Sequence, residues 1–453
     1  MKGVTTMHLI KLLSSIICET LLDPAELAKA RRRPGAFTRN NGKLPYWTVM
    51  KLLLECNKTT ISAMLDDYFL EIRKMLGMKE TESLACSQQS FSKARSGIDH
   101  SIFETCFQRM LNLLCAKEAL SHGKRLGGRW GTQIIAIDGS KIPLPNRGDL
   151  LEKYGGMGRD ASSPTAIASI AYDVLNCRIL DAQLEPLCIG ERELAMRHME
   201  SIREHQRADL LYTMFVFDRG YASKNLILFI QNNLHSRYLF RLRNKFSVEI
   251  DGIPAPEDRD GISDHTIPLY DGIKVRILKF YLPGGVLETL ITNDFQMIAE
   301  SFRRTYFLRW PIEGAYELIK EKVGLTCFMG RSENSVLQEF WISMLMANLS
   351  LAIKKETDGI LKYAQTEASP NINKHLYQTN INELIGSISR RFSIYMDAYL
   401  ENDTDSPALH TVIRDIFIFA LRHRVIDKKG LGESNPRREP RKVKNHYNRK
   451  RTH

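Results

Sequence analysis

GTQIIAIDGSKIPLPN, residues 131–146, is the stretch on which the reading of the fold turns. Its run of four apolar residues, Ile134 to Ile137, ends in Asp138-Gly139. A short continuous apolar run closed by a turn signal is the pattern of a strand buried on both faces. Upstream, from residue 1 to about 125, apolar residues recur at helical spacing, as at Trp47, Met50, Leu53 and Leu54, without strand-type alternation. Downstream, 166–173 and 178–184 read as further strands and 191–206 as a charged helix. An apolar strand over 210–217 ends in Asp218-Arg219-Gly220-Tyr221. A helix over 223–233 and a strand over 236–243 follow. Strands alternating with helices in this order predict an α/β catalytic core.

Beyond residue 244 Gly, Pro and Asp become frequent, and 274–280 and 286–292 carry short β-like runs. The expected organisation is therefore a helical N-terminal region (1–125), the first part of the core (126–243), a β-rich insertion splitting the core (244–294), its second part (295–350), and a helical C-terminal region (351–427). That last region is a candidate for dimerisation. A basic tail (428–453), poor in apolar residues, is expected to be disordered.

The chain has 453 residues, 43% hydrophobic and 26% charged, and a formal net charge of +12. The length predicts several domains, and the charge favours a polyanionic partner, nucleic acid ahead of an acidic membrane surface. Residues 436–453 alone hold eight Lys/Arg against one Glu. The eight cysteines form no C-x-x-C pair and no zinc-ligand spacing, as expected for free thiols in a reducing compartment. The N-terminal apolar runs are interrupted and lack a small-residue cleavage site, so no signal peptide is predicted. The longest uncharged stretch, 340–353, is too short to span a bilayer and reads as a buried core helix. These features predict a cytoplasmic protein that does not span the membrane.

Chemistry enters with YFLRWPIEGAYELIK, residues 306–320. On a helix of about 100° per residue, Tyr306, Arg309, Glu313 and Lys320 fall within an arc of about 60°. Pro311 interrupts that helix or starts a new one, so the shared face is firmer for Glu313 and Lys320 than for Tyr306 and Arg309. Asp138 and Asp218 each close a strand, where a side chain projects from the sheet edge. Glu313 can add a third oxygen ligand. Two divalent ions about 3.5–4 Å apart, held by carboxylates from separate elements, are a recurrent device for phosphodiester chemistry. Taken singly, each residue also fits a bland role: a turn Asp, a solvated Glu, a core-edge Tyr, or cations pairing with Glu317.

A second basic feature lies near the N-terminus. Residues 28–43 (AKARRRPGAFTRNNGK) hold six Lys/Arg and no acid, and SQQSFSKAR, residues 87–95, has the form of a capped helix start. Gln89, Ser92, Lys93 and Arg95 on such a helix could enter a major groove, and the same composition suits a solvated surface helix. Arg241 and Arg243 close a strand and could meet the DNA backbone or be ordinary strand-edge charges. Trp310 could stack on an extruded base or sit in the core. His198 has no partner at ligand spacing, which favours a structural role or a DNA contact over metal binding.

Asp138 in IIAIDGSKI, Asp218 in DRGY, and the Tyr-x2-Arg-x3-Glu-x6-Lys spacing of Tyr306, Arg309, Glu313 and Lys320 resemble the signature of DDE transposases. The specific resemblance is to the family named for insertion sequence four, over about residues 35–350. It implies an RNase H-like mixed sheet flanked by helices, with a β insertion between the second Asp and the Glu. It implies Mg²⁺, two ions with Mn²⁺ able to substitute, at Asp138, Asp218 and Glu313. Arg309 and Lys320 would contact phosphates, and Tyr306 would orient a phosphate or a ligand. It also implies binding to double-stranded DNA ends and a target, and a homodimeric paired-end complex. Three rival readings share parts of this pattern: a transposase-derived DNA-binding regulator without catalysis, a metal-dependent nuclease without strand transfer, and an RNA-binding or membrane-surface protein resting on charge alone.

Overall fold

The computed structural model describes residues 2–37, 44–55, 60–77, 85–121, 131–206, 210–270, 272–367, 376–401 and 406–427. The expected basic tail lies outside the described residues. Six helices precede the sheet: α1 (Lys2–Leu22), α2 (Pro24–Ala30), α3 (Tyr46–Leu54), α4 (Ile61–Met75), α5 (Gln88–Arg95) and α6 (Ser101–Ser121). Side-chain caps account for several of their starts. Asp23, Thr60 and Ser87 each accept a backbone N–H from the first turn of α2, α4 and α5.

The core follows as β1 (Gln133–Pro143), α7 (Gly148–Tyr154), β2 (Gly156–Met157), β3 (Ser163–Asp173), β4 (Arg178–Pro186), α8 (Glu191–Gln206), β5 (Thr213–Phe217), α9 (Lys224–Leu228) and β6 (Arg237–Arg241). Ile134, Ile135, Ala136 and Ile137 are all fully buried, as the continuous apolar run requires. Each of the three isoleucines contributes about 1.5–3 kcal/mol by leaving water. β4, β3 and β1 pair antiparallel, and β1, β5 and β6 pair parallel. α8 packs on β1, β3 and β4.

The β-rich insertion expected at 244–294 extends the same sheet. α10 (Val248–Asp251) leads into β7 (Ile262–Leu269), β8 (Ile273–Tyr281) and β9 (Leu287–Thr292), and β9 pairs antiparallel with β6. The result is one nine-stranded mixed sheet, with β9, β8 and β7 added in that order beyond β6 and β2 pairing with the start of β3. The pairing of β9 with β6 has a local cause. β6 would be an exposed edge after five strands, and an unpaired row of backbone groups there is unfavourable, so the returning β9 covers it.

α11 (Ala299–Phe307) and α12 (Pro311–Glu317) then lead to α13 (Glu333–Glu367), a 35-residue helix. The expected boundary at residue 351 falls inside α13. That helix packs against β4 as well as α1, α3 and α6, and so joins the sheet to the terminal helices. It is long and apolar enough to cross a membrane, but most of it is buried inside the protein; α1 passes the same test of length and composition and is half buried. β10 (Tyr377–Thr379), α14 (Ile381–Leu400), α15 (Pro407–Arg422) and β11 (Arg424–Ile426) complete the chain, with β10 and β11 forming a small antiparallel ladder. The C-terminal region is thus not purely helical. α14 and α15 pack on α1, so the two terminal regions form a common helical body.

Candidate active site

β1 and β5 run parallel with Ala136 opposite Val216, the last pair of their ladder. Asp138 and Asp218 each lie two residues past that pair. Two strands about 4.8 Å apart therefore deliver two carboxylates to one edge of the sheet, on the same face. β1 continues beyond this point beside β3 alone, as far as Pro143. Ser140, two residues after Asp138, shares its face.

Glu313 comes from across the site. α11 ends at Phe307 and α12 begins with Pro311 at its first turn, so of the two effects expected of Pro311 it starts a new helix, after a break at residues 308–310. Beyond Glu317 the helix widens into a π segment, Leu318–Val323. The four signature side chains meet the sheet edge along this bent path instead of one straight face. Tyr306, 6% exposed, donates its hydroxyl to Asp218 Oδ1 at 3.3 Å. Arg309, 5% exposed, places Nη2 3.0 Å from Glu313 Oε1 and Nη1 3.8 Å from Asp138 Oδ2. Lys320 Nζ bonds to Ser140 Oγ and lies 3.4 Å from the Lys141 carbonyl. Arg309 is thus wedged between two of the expected metal ligands, its Nε buried without a partner among the described residues.

Burial dominates the electrostatics. It pushes Asp138 up to about 6, aided by Glu191 and Asp218 and opposed by Arg309 and the Gly139 N–H. Burial also lowers Lys320, with Asp138 working against the shift. Burial opposes the charge on Arg309, but Tyr306, Asp218 and Asp138 outweigh it and raise that group. Ionising Asp138 therefore works against folding. Its folded value lies above the ordinary one of about 3.9, so the folded state holds the proton more tightly, and stability falls as pH rises from about 4 to about 6. Without metal, Asp138→Asn should be more stable than wild type at pH 7.5 by on the order of 1–2 kcal/mol, with the gap closing near pH 4. Thermal unfolding in EDTA at the two pH values tests this. An equal gap at both would remove the titration of Asp138 as its cause.

Several residues that hold the site were not singled out from the sequence. The buried Tyr316 hydroxyl donates to the Asp138 carbonyl at 2.6 Å and lies 3.0 Å from that of Ala168, fastening α12 to β1 and β3. Its place three residues after Glu313 was the available signal. Behind Asp138, Ser169 Oγ donates to the Asp138 carbonyl at 3.2 Å and lies 2.9 Å from His198 Nε2. His198 Nδ1 lies 2.5 Å from Asp181 Oδ2, whose other oxygen accepts from Ser201. His198 is fully buried. Of the two roles left open for it, the structural one holds, and a DNA contact is closed to it.

The other candidates scatter. Trp310 is half exposed, with the Arg309 guanidinium 5.5 Å from its ring centroid. It is not a core tryptophan. Arg243 is exposed, whereas Arg241 is half-buried and paired with Glu288 of β9. Gln89, Ser92 and Lys93 are exposed on α5. Arg95 is 2% exposed and is withdrawn as a groove contact. Its position turns it inward, where it bonds to Gln338, Glu339 and the Ser335 carbonyl of α13.

Among the described residues no three His, Cys, Asp or Glu side chains stand close enough to form a ready cation cage. The donor chemistry nonetheless fits a hard divalent cation: oxygen ligands only, one within β1 and one just past the end of the neighbouring β5, with Glu313 held off by Arg309.

Residues 129–349, a little under half of the chain, match the family model described as Transposase DDE domain. The matched span contains Asp138, Asp218, Glu313 and the whole Tyr306–Lys320 signature. The chain is also similar to a piggyBac transposase, seen by cryo-EM in a synaptic complex with hairpin DNA. The TM-score is 0.44 and the identity 12%, over 92% of this chain and 84% of that one. No curated protein matches the chain.

Proposed function

We propose that this protein is the DNA transposase of a bacterial insertion sequence, of the family named for insertion sequence four, acting as a homodimer on paired terminal inverted repeats. The observation that carries the reading is the delivery of Asp138 and Asp218 to one sheet edge, with Arg309 linking Asp138 to Glu313. The order β4-β3-β1-β5-β6, antiparallel and then parallel, supports an RNase H-like core.

Asp138, Asp218 and Glu313 would hold two Mg²⁺ ions, or Mn²⁺ in their place. Such ions, when bound, stabilise charge on the attacking and leaving oxygens of a phosphodiester. The chain's own residues do the rest. Tyr306 orients the Asp218 carboxylate through its hydroxyl. Arg309, buried and permanently charged, is placed to exchange its carboxylate partners for a phosphate near the cleaved bond, where its fork matches two oxygens. Lys320 offers a point charge beside Ser140. Exposed Trp310 is suited to stack on an unpaired base, in keeping with a hairpin on the transposon end. Water attack followed by attack of the freed 3′-hydroxyl on target DNA completes a cut-and-paste cycle in the bacterial cytoplasm, at the nucleoid.

α5 would read or grip the element end with Gln89, Ser92 and Lys93. Arg33 of the basic segment donates to the Lys93 carbonyl at 3.1 Å, which makes one exposed surface of the two basic features. If Lys93 neutralises a phosphate, Lys93→Ala should lower the slope of log K against log salt by about 1. An unchanged slope removes Lys93 from the DNA contact.

The deciding assay uses purified protein, linear DNA carrying the element's ends, and Mg²⁺ or Mn²⁺, with Asp218→Ala as control. Metal-dependent cutting at the element boundary with joined products establishes the reading. Cut products alone favour a nuclease, and binding without chemistry favours a regulator.

A further inference from the structure

The strongest feature left unused is the start of α8, where Glu191 and Arg192 reach back to the edge that carries the two aspartates. We propose that Glu191 is a fourth acidic group of the metal centre, supplying an oxygen ligand, with Arg192 as the residue that positions it. This rests on the reading of Asp138 and Asp218 as metal ligands.

The geometry is specific. The Glu191 side chain lies between Gly139 and Gly220, the glycines that follow Asp138 by one residue and Asp218 by two. A Cβ on Gly139 would stand 3.4 Å from both Cγ and Oε1 of Glu191, and a Cβ on Gly220 would stand 3.9 Å from Oε2. The carboxylate therefore lies beside both aspartate-bearing turns. Arg192 fixes it there. Its Nε and Nη2 donate to the Gly220 carbonyl at 3.2 and 3.0 Å, and Nη2 also lies 3.3 Å from the Ala222 carbonyl. The first turn of α8 is thus fastened to the loop that carries Asp218.

The electrostatics of the position need a cation. Among the described residues no basic side chain pairs with Glu191, whereas Glu193, on the same turn, pairs with Arg197 at 2.6 Å. Glu191 adds its negative charge to the field at Asp138, and a divalent ion there reverses that sign. A second group follows Gly220 directly in the chain. The Tyr221 hydroxyl, on a side chain 1% exposed, has no hydrogen-bond partner among the described residues. It lies within the field of Asp138, Glu191 and Asp218. A buried, unpartnered donor in the field of these carboxylates is suited to hold a carboxylate or a ligand oxygen in place.

The test is Mn²⁺ binding to the full chain without DNA, read by loss of the free-ion electron paramagnetic resonance signal, for wild type, Glu191→Gln, Arg192→Ala and Asp218→Ala. Glu191→Gln should weaken Mn²⁺ binding by about tenfold or more, and Arg192→Ala by less. In EDTA the melting temperature of Glu191→Gln should be equal to wild type or higher, because one like charge has gone. A purely structural Glu191 would lower the melting temperature and leave the isotherm alone. Superimposed isotherms for wild type and Glu191→Gln, with Asp218→Ala losing the ion, overturn this proposal and leave the three-carboxylate reading standing. Absence of Mn²⁺ binding by wild type overturns both. If Glu191→Gln does not fold, Glu191→Asp, one methylene shorter, must show the weakening in folded protein. Unchanged affinity there also overturns the proposal.

Discussion

Glu313→Gln is expected to abolish metal-dependent cutting and joining, by about a thousandfold or more, while leaving binding to element-end DNA within about twofold of wild type. The size follows from the chemistry assigned to the carboxylate. Charge stabilisation at a metal-bound phosphoryl oxygen is worth several kcal/mol, and each 1.4 kcal/mol is about tenfold in rate. The separation of binding from chemistry follows from the geometry. The Glu313 side chain is 46% exposed, so its charge contributes little to the fold, and the amide oxygen of Gln can still accept from Arg309 Nη2. The substitution removes charge and little else. An electrophoretic shift assay beside a cleavage assay on the same DNA reads both quantities. A variant that cuts like wild type removes Glu313 from the chemistry, and a variant that loses both binding and cutting makes the Arg309–Glu313 pair a structural strut.

The site was legible where function and backbone pattern coincide. Asp138 and Asp218 stood out because each ends an apolar run, and those runs are strands because isoleucines and phenylalanines buried on both faces have few other solutions. The charged helix at 191–206 was found with its observed bounds, since its apolar positions recur at helical spacing. Tertiary partners were not legible. His198 meets Asp181 and Ser169 from neighbouring strands, and nothing in the spacing around ERELAMRHM announces either. β7 was missed because its sequence, ISDHTIPL, is largely exposed and polar, as an edge strand can be. Without β7, the pairing of β9 with β6 was also out of reach, and the segment read only as a β-rich insertion in the core. The break at Pro311 was anticipated, but its consequence was not. It lets Arg309 turn inward between Asp138 and Glu313, where a straight helix would have ranked all four signature side chains on one face.

Arg95→Ala is expected to destabilise the protein by about 3 kcal/mol, the largest stability effect foreseen for a single side chain outside the apolar core. Arg95 lies at the end of α5, a helix whose exposed face carries Gln89, Ser92 and Lys93, and composition alone would place it with them. Instead its guanidinium is buried, with Nε donating to Gln338 Oε1 at 3.0 Å, Nη1 to Glu339 Oε1 at 2.8 Å and Nη2 to the Ser335 carbonyl at 3.1 Å. Gln338 returns the contact, donating to the Arg95 and Ile98 carbonyls at 3.1 and 2.8 Å. Removing one member of a buried ion pair costs about 3–5 kcal/mol, mostly because the other charge stays behind. The lower end applies here, because Glu339 keeps two backbone donors, Met329 N and Gly330 N, both at 2.8 Å. Arg95→Lys should cost nearly as much, since a single ammonium cannot serve three acceptors set in a fork. Urea unfolding of the three proteins, read at the first transition, measures the effect, and binding of element-end DNA to the folded variants tells this structural role from a DNA contact. A midpoint shift shared by Ala and Lys, with DNA affinity retained at low urea, establishes Arg95 as the joint that sets α5 on α13. Unchanged midpoints with lost DNA affinity would return Arg95 to the groove-reading face.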